Sequence, residues 1–444
     1  MIVEDLTGTF HVVYYDNGVY HTYLNDGADT WSDPYLIESI ARNPSIAIDS
    51  ENQLHLVYKK GGVSAYDIVQ RIYSGGAWSG ETLVHHSAFE VSRPVLAVDT
   101  GDNLHCVWQR AGGGSTPNSE IYYSKCTSGS GWGSAYCVSQ SYGASEYPTL
   151  TMDWNNNVYV FWKDSGEDIS SPKKVLMRKY TVGSGWDTDY TIVAMTSAGD
   201  NWATMDPCAV CDSDNNIHLV WADSHSGNKE VYYKQLPSGS TTNISNTSYR
   251  SSRPTISIDT QDNLYVAWED KIDNISHEIL LRWYDNMSSV WSVSINISNT
   301  PGSDSRHPNC ALEKKSSLIS IWTEGSSPNY QIMFNETEYV SIETEYGHSL
   351  VTGNRLAQNC PNPFNSVTTI GYNLPVVSEN INLRIFDTSG RLVRTIIDEP
   401  LDAGYHSAIW DGKDENSQDV PYGLYIYMFK SAGYIETRQC IVLR

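Results

Sequence analysis

A phrase of sixteen residues recurs along the first 340 residues of the chain. It reads RPVLAVDTGDNLHCVW at 93–108 and RPTISIDTQDNLYVAW at 253–268. Each copy has a proline, an acid five residues later and an aromatic residue fourteen residues later. The prolines are 47 to 59 residues apart, at Pro44, Pro94, Pro148, Pro207, Pro254 and Pro308. A copy without the proline begins the chain, with Asp5 and Tyr14. Seven units of this size predict a propeller or a solenoid.

Each unit alternates apolar and polar residues with period two, which predicts β-strands. A strand with apolar residues two and four positions after the proline is followed by a turn rich in Asn, Asp and Gly, and then by three more strands. Four antiparallel strands in about fifty residues form one propeller blade. The sequence therefore predicts an all-β chain with a seven-bladed β-propeller over residues 1–340.

The repeated residues themselves predict architecture. We expect the recurring acids and tryptophans to pack between blades. Four histidines lie six residues after the acid, where other copies have a tyrosine, so we expect a structural role for them as well. They are His11, His55, His105 and His218. A catalytic group should instead break the repeat.

The last ninety residues follow a different pattern. After a polar linker at 341–355, short alternating strands, a TSG hairpin and a WDGKD turn predict a small antiparallel sandwich over 356–444. Its order of PNPFN (361–365), IFDTSGRLVRT (385–395), AGYHSAIWDGKD (403–414) and PYGLYIYMF (421–429) resembles the type A sorting domain of the type IX secretion system. It is also similar to the immunoglobulin-like module of flagellar hook-capping proteins.

The resemblance to a sorting domain implies a function in protein export and names no chemical activity. Such domains carry a folded cargo across the outer membrane of Gram-negative bacteria, so the propeller would be secreted or held on the cell surface. The type IX machinery would be the partner of residues 356–444. An export signal should precede the cargo, and residues 1–30 lack one. We therefore expect the chain to be an N-terminally incomplete version of a secreted protein.

The repeats also resemble the neuraminidase-like repeats of bacteria. The stretch NDGADTWS (25–32) is close to the Asp-box of sialidases, SxDxGxTW. That box is a structural turn in the family, so it implies a fold more than an activity. The resemblance also implies a catalytic set of three arginines, a Tyr–Glu pair and an aspartate, which cannot be placed residue by residue here. Sialidases usually have six blades.

The formal net charge of −23 argues against nucleic acid and anionic membranes as partners. No apolar run is long enough to span a bilayer. No metal or cofactor is predicted. Eight cysteines in an exported chain permit disulfides, and two candidate pairs are Cys126 with Cys137 and Cys360 with Cys440. We interpret Cys208 and Cys211 as ordinary small core residues, since alternation points them to opposite faces of a strand.

Four arginines lie one or two residues before the repeat proline. They are Arg42, Arg93, Arg253 and Arg306. In a closed propeller these positions meet around one mouth of the channel, where guanidinium groups would bind a carboxylate or a sulfate. Alternatively, each arginine pairs with an acid of a neighbouring blade. Glu146 and Asp206 hold the equivalent positions in two other blades and would neutralise the site.

Two functions remain open. The first, which we favour because no acid–base pair interrupts the template, is a non-catalytic propeller that binds a glycan or a surface protein. It would use the channel mouth and the blade-edge residues Trp132, Trp186 and Trp291. The second is a sialidase-like glycoside hydrolase or a polysaccharide lyase acting on acidic glycans. A tyrosine or glutamate beside the arginines would favour the second.

Overall fold

The computed structural model describes most of the 444 residues. The residues that it does not describe are 26–27, 29, 62–65, 114–117, 129, 142, 167–170, 197–205, 225–226, 272–275, 287–288, 301–302, 313–316, 326–330, 339–354, 357–358, 360–363, 365–366, 375–377, 402–403, 432–433 and 443–444. The chain forms two compact units, 1–340 and 341–444. The predicted linker at 341–355 lies almost wholly outside the described residues. No membrane-crossing helix occurs in the described part of the chain.

Within 1–340, the described residues form seven antiparallel sheets, numbered here in chain order. Sheet 1 has β1 (Ile2–Glu4), β2 (Phe10–Tyr15), β3 (Val19–Leu24) and β4 (Tyr35–Glu38). Sheet 2 has β5 (Ala41–Ile48), β6 (Leu54–Gly61), β7 (Tyr66–Ser74), β8 (Ala77–Trp78) and β9 (Thr82–Ser87). Sheet 3 has β10 (Val91–Val98), β11 (Leu104–Arg110), β12 (Glu120–Thr127), β13 (Gly131–Trp132) and β14 (Tyr136–Cys137).

The other four sheets follow the same order of strands. Sheet 4 has β15 (Ser145–Met152), β16 (Val158–Asp164), β17 (Lys174–Thr181), β18 (Gly185–Trp186) and β19 (Thr191–Met195). Sheet 5 has β20 (Cys208–Cys211), β21 (Ile217–Asp223), β22 (Glu230–Leu236) and β23 (Thr242–Asn243). Sheet 6 has β24 (Ser251–Ile258), β25 (Leu264–Lys271), β26 (His277–Asp285), β27 (Val290–Trp291) and β28 (Ile295–Asn296). Sheet 7 has β29 (Ser305–Leu312), β30 (Ser317–Glu324) and β31 (Gln331–Glu338).

The sheets form a closed ring. The first strand of each sheet contacts the first strand of the next, and β29 of sheet 7 contacts β1 of sheet 1. At this closure the backbone N–H of Ile2 donates a hydrogen bond to Oδ1 of Asn309, with 3.0 Å between the two atoms. Ile2 also shares an apolar cluster with Phe10 of sheet 1 and Ile321 of sheet 7. The predicted propeller fold is thereby confirmed, and the ring closes by packing between its first and last sheets.

The repeat aromatic residues pack between neighbouring sheets, as predicted. Trp162 of sheet 4 is fully buried and shares an apolar cluster with Val107 and Ile121 of sheet 3. Trp221 likewise packs against sheet 4, where it shares a cluster with Phe161. Because a fully buried aromatic side chain removes a large apolar area from water, these residues stabilise the contact between sheets.

Most contacts of the described repeat acids lie within their own sheets, although the prediction placed these acids between blades. One contact between sheets is the hydrogen bond that Nδ2 of Asn52 in sheet 2 donates to Oδ2 of Asp5 in sheet 1, with 3.3 Å between the two atoms. Asp99 accepts hydrogen bonds from the backbone N–H groups of Gly101 and Asn103, both at 2.9 Å, and its Oδ2 lies 3.0 Å from Nε2 of His105. An acid that satisfies its own turn donors fixes the hairpin between the first two strands. The predicted structural role of the histidines agrees with these contacts: the equivalent pairs are His55 with Asp49 and His218 with Asp212.

In sheets 2 to 6, the residue three positions after the acid accepts a hydrogen bond from the preceding sheet. The backbone N–H of Ser50 in sheet 2 donates to Oδ1 of Asp102 in sheet 3 at 2.9 Å, and the Ser50 hydroxyl donates to Oδ2 at 2.6 Å. Four equivalent bonds run from Leu6 to Asn52, Thr100 to Asn156, Trp154 to Asn215 and Ser213 to Asp262. These bonds connect sheets 1 to 6 at the end of the propeller that carries the Asp–Asn turns, called here the turn end.

The second unit is a two-sheet sandwich. One sheet has the order β32 (Arg355–Leu356), β33 (Thr368–Leu374) and β36 (Gly404–Trp410). The other has β35 (Leu392–Leu401), β34 (Ser378–Asp387), β37 (Gly423–Ser431) and β38 (Tyr434–Val442). Its core includes Phe364 of the PNPF motif, which packs against Trp410 with 5.4 Å between ring centroids. The predicted immunoglobulin-like sandwich is confirmed.

The predicted disulfide between Cys126 and Cys137 does not form, because both thiols are free. Cys126 lies on β12, whereas Cys137 pairs with Tyr122, four residues earlier on that strand. Four residues of strand span about 13 Å, and a disulfide requires Cα atoms within about 7 Å. Cys440 is a free thiol in the sandwich core, and Cys360 lies outside the described residues. Cys208 and Cys211 pack at the edges of two apolar clusters, as expected for small core residues.

Candidate functional site at the channel mouth

The repeat proline lies in a β-bulge near the start of the inner strand. On β10, Ser92 pairs with Gln109 and Val95 pairs with Val107, so that Arg93 and Pro94 together face Trp108. The same one-residue shift occurs on β5, β15, β24 and β29. Proline suits a bulge because it has no N–H to pair. The fixed spacing between proline and aromatic residue in the repeat therefore reflects one feature of the ladder.

The residue before the repeat proline has an unusual backbone conformation in five of the six copies. Five of these residues have φ between 49° and 56°, namely Asn43, Arg93, Tyr147, Arg253 and His307. Left-handed backbone costs a non-glycine residue roughly 1 kcal/mol, and a bulge re-aims the side chain it carries. The bulges present one side chain per sheet at the end of the propeller where the inner strands begin, called here the mouth. The chemistry of these side chains differs from sheet to sheet.

A depression of about 260 Å³ lies at the mouth. It is lined by residues near the starts of three consecutive inner strands, β5, β10 and β15, and by the two residues that directly precede the fourth, β20. The lining residues are Asn43, Pro44, Arg93, Pro94, Val95, Tyr147, Pro148, Asp206 and Pro207. This is called the central depression below. Because Asn43, Arg93, Tyr147 and Asp206 each precede a repeat proline, the depression is built from a position at which the residue type differs between copies of the phrase.

Arg93 is exposed and has no ion-pair partner among the described residues. Its guanidinium carbon lies 3.9 Å from the centroid of the Tyr147 ring, a distance at which cation and aromatic face attract each other. Lys163 lies on the same ring at 5.5 Å and forms an ion pair with Glu146 at 3.1 Å. Glu146 is thus engaged by Lys163, and the guanidinium of Arg93 stays available to an anion.

Asp206 is the carboxylate of the central depression. Its Oδ1 is buried and has no hydrogen-bond partner in the described part of the chain. Burial raises the pKa of Asp206 to about 6, although Arg253, Arg93, Lys229 and Lys163 favour the charged form. A buried carboxylate oxygen without a donor costs free energy unless a ligand or water supplies one. Asp206 can therefore accept a hydrogen bond from a bound hydroxyl, or exchange a proton near pH 6.

Arg253 and Arg306 are engaged by one buried carboxylate. Nη1 of Arg253 lies 3.0 and 2.9 Å from the two oxygens of Glu269, whose side chain has no exposed surface. Nη1 of Arg306 lies 3.5 Å from the same carboxylate, and its Nε lies 3.0 Å from Asp304. The backbone N–H of His307 also donates to Glu269, at 2.7 Å. Arg306 of sheet 7 thus pairs with an acid of the neighbouring sheet 6, as in the alternative interpretation, whereas Arg253 pairs with an acid of its own sheet.

The structure thus separates the four predicted arginines into three settings. Arg93 lines the central depression, while Arg253 and Arg306 are paired with Glu269 beside it. Arg42 lies over the Tyr15 ring at 5.4 Å and lines a different depression. Sequence reasoning missed Tyr147, Asn43 and His307. Their shared position immediately before the repeat proline was the signal that would have identified them.

The tryptophans predicted as blade-edge ligand contacts are used for packing. Nε1 of Trp132 in sheet 3 donates to Gln70 of sheet 2 at 2.8 Å. Trp186 of sheet 4 stacks on Tyr136 of sheet 3, and Trp291 of sheet 6 contacts the ring of Tyr233 in sheet 5. Each of them joins neighbouring sheets. Within the Asp-box stretch, Asp26 and Gly27 lie outside the described residues.

Comparison with known protein families finds a match in the C-terminal unit. A family model described as the FlgD Ig-like domain matches residues 364–432. The basal-body rod modification protein FlgD of Salmonella typhimurium is 38% identical over 60 residues, which are 14% of this chain and 26% of that protein. The chain therefore spans about a quarter of the length of the curated relative that it matches.

Solved structures resemble the propeller. A polysaccharide lyase of family PL25, an ulvan lyase bound to -[GlcA(1-4)Rha3S]-, has a TM-score of 0.52 at 11% identity, over 76% of this chain and 91% of that one. PorZ, a surface component of the type IX secretion system of Porphyromonas gingivalis, has a TM-score of 0.44 at 12% identity, over 100% of this chain and 59% of that one. The chain thus consists of a β-propeller followed by an immunoglobulin-like domain.

Proposed function

We propose that the propeller binds an acidic glycan at the central depression. Arg93 would hold a carboxylate or sulfate of the sugar, the Tyr147 ring would support the guanidinium, and Asp206 would accept a hydrogen bond from a sugar hydroxyl. The observation that carries this proposal is the pairing of an unengaged guanidinium with a buried, unsatisfied carboxylate oxygen in one depression. The ulvan lyase of similar fold, bound to a uronate and sulfated-rhamnose repeat, supports the choice of ligand.

A glycan array probed with the full chain tests this proposal. We expect signals from uronate-containing or sulfated glycans, and Arg93→Ala should weaken them by about tenfold or more, the loss associated with one charge-assisted hydrogen bond. Arg391→Ala, which removes an exposed guanidinium from the other unit, is the matched control. Equal binding by Arg93→Ala and the unchanged protein would contradict the proposal. A chain that binds no glycan would leave a protein ligand as the alternative.

A second candidate function is cleavage of the bound glycan. The observation in its favour is Tyr147 beside Arg93 in the same depression as Asp206, whose pKa of about 6 suits proton transfer near neutral pH. The reaction class would be hydrolysis or elimination at an acidic sugar. Product release from ulvan and other acidic polysaccharides tests it. We expect Tyr147→Phe and Asp206→Asn to abolish release and retain binding, whereas release that survives both changes would exclude these groups as catalytic residues.

We further propose that residues 356–444 direct export through the type IX secretion system, so that the propeller acts in the medium or on the outer cell surface. The four motifs of the sandwich support this proposal. The test is to express the full chain in a Gram-negative host with and without that system, behind an added export signal. We expect the propeller outside the cells only when both the system and residues 356–444 are present. Release without either would contradict the proposal.

A further inference from the structure

A second depression, of about 360 Å³, lies at the mouth between sheets 1 and 2. Its lining includes Tyr15 at the end of β2, Arg42 on β5, Lys59 on β6 and Tyr66 at the start of β7. These are the strand ends that lie on the same side of the ring as the repeat prolines. No part of the proposed function uses this depression. It is called the outer depression below.

The outer depression adjoins the central one through a single peptide unit. Arg42 lines the outer depression, and the next residue, Asn43, lines the central depression. The left-handed conformation of Asn43, with φ of 53°, turns the chain between them. Consecutive Cα atoms are about 3.8 Å apart. One ligand can therefore contact both residues without leaving the surface of the protein.

The outer depression repeats the chemistry of the central one. The guanidinium carbon of Arg42 lies 5.4 Å from the centroid of the Tyr15 ring, and Nζ of Lys59 lies 5.2 Å from that of Tyr66. Lys59 also pairs with Glu90, whereas Arg42 is exposed and has no ion-pair partner among the described residues. Each depression thus offers one unengaged guanidinium beside a tyrosine, in a chain with a net charge of −23.

We propose that the outer depression is a second saccharide subsite, and that the ligand is a stretch of acidic polysaccharide. This inference rests on the proposed function of the central depression. A single terminal sugar would occupy the central depression alone and leave Arg42 without a role. Ligand pockets commonly have volumes of about 300 to 1,000 Å³. The central depression is smaller than that range, and the two together fall within it.

Titration calorimetry with the full chain tests the inference. The probes are disaccharides and hexasaccharides prepared from galacturonan, chondroitin sulfate and ulvan. We expect at least one hexasaccharide to bind about tenfold more tightly than its disaccharide, because it also reaches Arg42. Arg42→Ala should remove this advantage and leave the disaccharide affinity within about twofold of its original value. Arg42→Lys, which keeps the charge and loses the fork of donors, should restore part of the advantage.

The outcomes separate this inference from the proposed function. Arg93→Ala should weaken the disaccharide and the hexasaccharide by similar factors. A disaccharide that binds as tightly as its hexasaccharide, or an Arg42→Ala variant that keeps the full advantage of length, overturns the second subsite and leaves the central site intact. If no probe binds the unchanged protein, both proposals fall. Thermal unfolding of each variant shows whether a lost affinity reflects a lost fold.

Discussion

At the turn end of the propeller, Asp99 and its equivalents bind the donors of their own turns, and the next sheet repeats the arrangement with the same residue types. At the mouth, the equivalent backbone position carries asparagine, arginine, tyrosine, aspartate or histidine. The turn end is uniform and its polar groups are paired. The mouth is varied and holds an unengaged arginine and an unsatisfied carboxylate. Uniform, satisfied polar groups indicate stabilisation, and varied, unsatisfied ones indicate a ligand.

The largest effect on stability is expected from a substitution at the turn end. Asp99→Ala removes a buried carboxylate that accepts hydrogen bonds from two backbone N–H groups and from the side chains of Asn103 and His105. We expect a loss of about 4 kcal/mol in the free energy of unfolding. Urea denaturation measures this loss. Glycan binding by the folded fraction should stay unchanged, and a fall in affinity without a fall in stability would contradict the separation of the two ends.

The two ends should also respond to pH in opposite ways. Burial raises the pKa of Asp5, but hydrogen bonds from Thr7 and Thr9 outweigh burial and hold this pKa at about 2. Asp5 therefore contributes stability above about pH 4 that is lost as the pH falls toward 2. Asp206, with a pKa raised to about 6, binds its proton more tightly in the folded state. Its contribution to stability therefore falls as the pH rises from about 4 to about 6.

Asp206→Asn tests the response of the mouth. The raised pKa of Asp206 corresponds to a loss of at most about 3 kcal/mol between pH 4 and pH 6. We expect the asparagine variant to lack this loss, so that it is more stable than the unchanged protein at pH 7 and of equal stability at pH 4. Urea denaturation at the two pH values measures the difference. If the variant and the unchanged protein differ in stability by the same amount at pH 4 and at pH 7, the carboxylate does not titrate in this range.

A smaller effect on stability distinguishes the backbone strain of Arg93 from the contribution of its side chain to binding. Arg93 has a φ of 53°, which glycine adopts without strain and alanine does not. We expect Arg93→Gly to be more stable than Arg93→Ala by about 1 kcal/mol, and both variants to lose glycan affinity equally. Urea denaturation and calorimetry provide the two measurements. Unequal affinities would mean that the bulge, and not the guanidinium, determines binding.

The smallest expected effect tests the bonds between turns. Ser50→Ala removes the hydroxyl that donates to Asp102 and leaves the backbone N–H bond to the same carboxylate. Because the pair is exposed, we expect a loss of about 0.5 kcal/mol in stability. Thr100→Ala, at the equivalent position of the next sheet, should cost a similar amount. A loss several times larger would show that the chain of turn-end bonds is cooperative.

Much of the fold was accessible from the sequence because its period is long and regular. The proline, acid and aromatic residue at fixed separations located the inner strand and the second strand of the sheets that carry them. The site was less accessible. The sequence placed Arg93 and Arg253 at equivalent positions, but only the fold shows that Glu269 engages Arg253 while Arg93 stays free. Glu269 is distant in sequence from Arg306, and such pairings depend on how the strands align in space.

The cysteines also show that strand alignment cannot be predicted from spacing in the sequence. Spacing suggested that Cys126 and Cys137 face each other across a hairpin. In the structure Cys137 lies opposite Tyr122 of β12, and Cys126 is four residues further along that strand. Register depends on the whole ladder and its turns, which a count of residues between two cysteines does not contain.

By itself, the sequence determined the strands, their grouping into repeated sheets and the separate C-terminal sandwich, because alternation and turn chemistry act over a few residues. The tertiary structure alone decided which polar groups meet. Closing the ring brings the residues before Pro44, Pro94, Pro148 and Pro207 together from strands about fifty residues apart, and whether each is paired or free depends on neighbours from other sheets. A ligand site made of such residues exists only once the ring has closed.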